Sequence, residues 1–125
     1  MTIYDIDKNT DFRRLVGNKE SAFFSNDLQR LKDAYENENN DWRQYYNATL
    51  VVPIRYLSSD KRQHRCYGLF AVDSLNKQKI KDLYNDKECK YILGQAADLL
   101  ATFFLLLELT EYISIQAVPV ASPKP

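Results

Sequence analysis

Seven side chains between positions 23 and 55 make the best case for a binding site: Phe23, Phe24, Tyr35, Trp42, Tyr45, Tyr46 and Arg55. Aromatic walls around a single guanidinium suit a planar or anionic small molecule. The same rings would also serve as an aromatic core that fills its own space, because few convergent polar groups accompany them. The remaining reactive side chains are isolated. His64 is the only histidine and lies in the basic run Lys61-Arg62-Gln63-His64-Arg65, with no cysteine or acid beside it. That setting makes a poor metal ligand and a poor general base, and it reads as a solvated turn or a local contact for an acidic partner. Cys66 falls in an extended stretch and reads as a small core residue. Cys89 falls at a helix start. Asp98 stands with Gln95 and Thr102 on a polar helix stripe, facing water or a partner helix, or else is a buried functional acid. Nothing here assembles a nucleophile, a base and an orienting group, so the expectation is no enzyme, no metal and no cofactor.

Composition narrows the remaining classes. With 125 residues, the chain has room for one domain. It is 45% hydrophobic and 27% charged, enough apolar material for a core and against whole-chain disorder. Seventeen basic residues balance seventeen acidic ones, so no broad positive field exists to gather nucleic acid. The first ten residues contain Asp5, Asp7 and Lys8, unlike a signal peptide. The longest uncharged apolar run is nine residues, 99–107, bracketed by Asp98 and Glu108, short of the ~18 of a membrane span. Two cysteines make no disulfide framework, and a reducing cytoplasm is the expected compartment.

Periodicity supplies the elements that must position the candidates. Residues 2–6 read as a short strand, 12–16 as a helical turn ending at Gly17, and 18–25 as irregular chain. Asn26 suits the cap of a helix through Leu28, Leu31 and Tyr35, and 42–46 reads as another short turn. Residues 49–57 and 65–73 alternate as two strands joined by a polar loop. Leu50, Val52, Ile54 and Tyr56 share one face of the first. Tyr67, Leu69 and Ala71 share one face of the second. Both faces are substantially apolar, which suits strands covered on two sides. Pro53 cannot donate to a ladder and predicts a bulge or an unpaired stretch. Residues 76–84 form a lightly amphipathic helix. Asp86 caps a last helix running to about Ile113, apolar all round at 103–107. The three prolines of 118–125 mark a disordered tail after a domain spanning 1–117.

Three pieces occur in a telling order: Val51-Val52-Pro53-Ile54-Arg55, then Tyr67-Gly68-Leu69-Phe70-Ala71-Val72-Asp73-Ser74, then Ala96-Ala97-Asp98-Leu99-Leu100-Ala101. Together they resemble the second half of a GAF domain over roughly 50–106. The stretch from Ile3 to Phe12 looks like the strand and loop before that family's variable, ligand-covering region. The resemblance implies an α+β fold of the PAS/GAF, profilin-like type: an antiparallel sheet packed by helices, with a long C-terminal helix. It places the aromatic group in the segment that covers the ligand cavity. The opening helix and strands of such a domain have no room before Thr2, as in a truncated, degenerate or permuted member. The cyclic-nucleotide motif of some members is eroded. Asn76-Lys77 fits its start, but Leu83 stands for Phe and Lys87 for Asp at its end. Some relatives of this type reduce methionine sulfoxide with paired cysteines, and Cys66 and Cys89 are the only pair available.

The expected function is therefore a GAF-like regulatory module that senses a small molecule through Phe23, Phe24, Tyr35, Trp42, Tyr46 and Arg55 and signals through its last helix. The alternative is a ligand-free module that dimerises or docks on a partner protein through Phe103, Phe104, Leu106 and Leu107. Nucleic acid and membrane are not expected partners.

Overall fold

In a computed structural model the described residues are 5–17, 20–58, 63–74 and 86–116. Three strands form one antiparallel sheet in the order β1 (Phe23–Ser25), β2 (Ala48–Ser58), β3 (Gln63–Ser74). Helix α1 (Thr10–Gly17) precedes β1, the single-turn α2 (Trp42–Tyr45) precedes β2, and α3 (Asp86–Gln116) is the last described element. The fold is α+β, with the long C-terminal helix that the sequence predicts.

β2 is the central strand and both of its faces are covered. Val51, with no exposed surface, packs among Leu15, Phe23, Leu28, Tyr35 and Trp42. Its neighbours Val52 and Ile54 point the other way, onto Ala97 and Ala101 of α3. Successive strand side chains alternate, so one strand organises two cores. Alanines at 97 and 101 let the helix backbone approach the sheet, and Leu93, Leu100 and Phe104 flank that seat.

The β2–β3 ladder runs from Ala48↔Ser74 to Ser58↔Gln63, and its register shifts between Ile54 and Arg55. Ile54 opposes Gly68 and Arg55 opposes Cys66, so Tyr67 is an extra residue in β3, whereas Pro53, where a break in its own strand is predicted, pairs with Leu69. The bulge takes Tyr67 off the face it would share with Leu69 and Ala71. Its ring stacks on Tyr56 at 5.0 Å and lies 5.3 Å from Phe104 of α3. Cys66, expected in the core, is exposed on this edge strand, and its thiol donates to the Gly68 carbonyl at 3.2 Å.

Other segments also differ from the sequence reading. Phe23–Ser25 is a strand where irregular chain is predicted; it pairs with Thr49–Val51, so it exists only because β2 offers its edge. Ile6–Lys8 is a 3₁₀ turn, not the end of a strand. Leu28–Ala34 is two 3₁₀ turns capped by Asp27, broken at Lys32, whose φ of 47° no helix contains. The predicted helix at 76–84, the tail at 118–125 and residues 2–4 lie outside the described residues.

α3 has 31 residues, about 46 Å of helix at ~1.5 Å rise per residue. Taken whole, Lys87–Ile115 is long and apolar enough to cross a bilayer, although its longest uncharged run is not. Its first half is seated on the sheet through Ala97 and Ala101. Beyond Glu108, Leu109, Tyr112, Ile113 and Ile115 are all exposed.

Candidate functional site

The site is built where α1 and the segment 35–39 meet over the sheet. Neither segment is a strand of that sheet, yet their backbones are tied by side chains. Asn9, buried, donates to the Asp5 carbonyl at 2.8 Å and accepts from the Glu38 amide at 3.1 Å. Thr10 donates its amide to the Glu36 carbonyl at 3.0 Å, and its hydroxyl accepts from the Glu36 amide at 2.8 Å. Polar atoms out of water must be paired in this way. The pairing places Asp11 and Tyr35 face to face. Arg13 and Glu36, 3.2 Å apart at the surface, add a solvated ion pair of small energetic value.

Asp11 is 4% exposed. One carboxylate oxygen accepts from the Phe12 amide at 2.9 Å, the other from the Tyr35 hydroxyl at 3.0 Å. Asn37 in turn donates to the Tyr35 oxygen at 3.3 Å. On the sheet side, Asp73 accepts from Thr49, its partner across the ladder, at 2.5 Å. Among the described residues, neither Asp11 nor Asp73 forms an ion pair with a basic side chain. Burial pushes the Asp11 carboxyl above its ordinary range, against the hydrogen bonds from Tyr35 and the backbone, and the Asp73 charge pushes the same way. Burial, followed by the Asp11 charge, holds the Tyr35 phenol well above its ordinary value, so it stays a donor.

These groups surround a cavity of about 160 Å³, with Asp11, Tyr35, Asn37 and Asp73 among its polar walls and Phe12, Leu28, Tyr46 and Ala71 among the others. It sits on the sheet face opposite α3. Two carboxylates favour a small ligand that carries positive charge or several donors. Among the described residues no three His, Cys, Asp or Glu side chains are placed to hold a metal ion.

The predicted aromatic group is divided. Phe23, Tyr35 and Trp42 are buried together, with Tyr35 5.8 Å from Phe23 and edge-on to Trp42 at 4.9 Å. They fill the core under the cavity. Tyr46 is half-buried and lines the cavity itself, whereas Tyr45 is exposed. Phe24 and Arg55 lie apart from these. Lys90 of α3 stands 5.4 Å over the Phe24 ring. Arg55 lines a groove beside Asp98, Ala101 and Thr102 of α3. The structure thus does not bring the guanidinium to the aromatic cluster, and the cavity walls are acidic where an anion site would be basic.

Asn9, Asp11 and Asn37 escaped the sequence reading as site residues, and Asp73 entered it only within the strand motif of the family resemblance. A signal existed. Asn9-Thr10-Asp11 is a run of capping residues ahead of the apolar pair Phe12 and Leu15, but local sequence does not tell a solvated cap from a buried one. Compared with family models, curated proteins and solved structures, the chain matches none.

Proposed function

We propose that this chain is a GAF-like sensory module that binds a small cationic, donor-rich molecule between α1 and the sheet and signals through α3. The cavity bounded by Asp11, Tyr35, Asn37 and Asp73 carries the reading, because its acids lack a cationic partner among the described residues. At about 160 Å³ it suits a ligand of roughly six non-hydrogen atoms, the size of the benzene held by a cavity of similar volume elsewhere. A bound cation would favour the charged form of Asp11 that burial disfavours, so binding and ionisation are coupled. The hairpin and the helix seated on it support the resemblance to a GAF domain.

The route to α3 is short. Val51 lies under the aromatic cluster, and the next residue, Val52, lies under Ala97 and Ala101. A shift of β2 caused on one face is felt directly on the other, because packed interiors transmit small displacements.

The test is a two-dimensional NMR titration with methylammonium and ethanolamine, using ethylene glycol as the uncharged control. The expected result is saturable shifts at Asp11, Tyr35 and Asn37 for the two cations only, abolished in Asp11→Asn. Shifts that never saturate, or that persist in Asp11→Asn, would sink the proposal.

A further inference from the structure

One exposed flank of α3 carries a pattern that the sensory reading does not use. Ile92, Leu99, Leu106 and Ile113 recur every seventh residue, with Ala96 and Phe103 four residues after the first two. Together they form the 3.5-residue repeat of a coiled-coil seam, with the four β-branched or leucine side chains at d and the alanine and phenylalanine at a. Ile92, Leu99, Phe103, Leu106 and Ile113 are each 54–72% exposed. The sheet-packed residues Leu93, Ala97, Leu100, Ala101 and Phe104 fall at b, e and f positions, so the sheet covers the side of the helix next to the seam and leaves the d side chains and Phe103 exposed. Between residues 89 and 115 the only charged side chains are Lys90, Asp98, Glu108 and Glu111, and all four fall at b, c and f positions, outside the a and d seam.

We infer that this seam pairs with the same seam of a second copy, forming a two-stranded coiled-coil homodimer along α3. Three observations choose that occupant. The flanking e and g positions from 93 to 114 hold no charge, so nothing repels an identical helix and no charge code selects a different one. The exposed seam side chains, with Leu107 and Leu109 beside them, offer on the order of 700 Å² per protomer, close to the ~800 Å² per partner of a stable interface. A strict seven-residue repeat drifts only ~20° per heptad around a straight helix, an offset that a left-handed partner follows. A bilayer is the poorer occupant, since lipid would have to surround a helix whose neighbouring side is already seated on β2.

Sedimentation equilibrium of the full chain at micromolar concentration tests the inference. The wild type is expected to be a dimer. Leu99→Glu with Leu106→Glu should weaken it at least ~100-fold, while Tyr91→Glu, on an outward c position, leaves it intact. Far-ultraviolet dichroism checks that the double variant keeps its helix. If that variant unfolds, a nitroxide at Leu99→Cys in a Cys66→Ser, Cys89→Ser background reads the same interface by dipolar coupling between copies. A monomeric wild type, a dimer indifferent to the two glutamates, absent coupling, or a monomer that partitions into phosphatidylcholine vesicles would each overturn it. None of these outcomes depends on ligand binding at Asp11.

Discussion

The two faces of β2 are closed in opposite ways. On the Val51 face, several short segments lie over the strand, and none is long enough to be stable alone. They are held by buried rings and by side chains such as Asn9 and Thr10 that bond directly to a neighbouring backbone. On the Val52 face one 31-residue helix supplies most of the cover, through two alanines, leucines and Phe104. The first face can leave a cavity with acidic side chains in its wall because its cover is irregular. The second, being regular, presents a continuous outer flank. Recognition of a small molecule and recognition of another helix are thus assigned to different faces by the kind of cover each face has.

Substitutions can break this contrast in graded steps. The largest effect is expected from Trp42→Ala, which removes a buried ring touching Tyr35 and should cost about 3–5 kcal/mol in urea unfolding. Because the covering segments depend on that core, cavity formation and folding should be lost together. Ala101→Leu overpacks the other face and should cost about 1–3 kcal/mol. Here hydrogen exchange should rise in α3 while the amides of α1 stay protected; equal loss on both faces would show that the two cores are one cooperative unit. Asn9→Ala leaves the Glu38 amide unpaired and should cost about 1–2 kcal/mol, again read in urea, with α3 protection unchanged.

The smallest effect carries the sharpest sign. Asp11 has a raised folded pKa, so the native state binds its proton more tightly than the unfolded chain does. Stability should therefore fall as pH rises from the ordinary carboxylate value of 3.8 through the raised folded value, and then level off. Asp11→Asn keeps one acceptor and removes the charge, so its unfolding free energy should stay within about 1 kcal/mol of wild type at neutral pH while that slope disappears. A wild-type slope of opposite sign would mean that the Tyr35 and backbone hydrogen bonds outweigh burial.

The part of this architecture that rests on long periodic runs was legible in the sequence. Alternation over 49–57 and 65–73 marked the hairpin, both apolar faces marked a strand covered twice, and Asp86 marked the start of α3. Pro53 led to the expectation of an irregularity in its own strand, but Pro53 pairs with Leu69 and the extra residue, Tyr67, lies in β3. What was not legible depends on partners distant in the chain. Phe23–Ser25 has no strand pattern of its own and becomes extended by pairing with β2. Tyr67 follows alternation until the bulge redirects it. Arg55 and the aromatic cluster looked like one site because they share a stretch of sequence, but the strand separates them. The cavity itself was hidden because its acids came from segments that look like ordinary caps and a strand end.

The supernumerary residue of β3 also governs how the hairpin tolerates length changes. An insertion on the loop side of Tyr67 would displace only the outer rungs, whose partners Arg55↔Cys66 and Tyr56↔Arg65 already run in a shifted phase. The same insertion on the inner side would exchange the inward and outward sets of β3, bringing Phe70 to the cavity side and Leu69 to α3. Lengthening of this ribbon should accordingly be confined to the end beyond Tyr67, which makes that outer end the place to graft a label or a reporter domain.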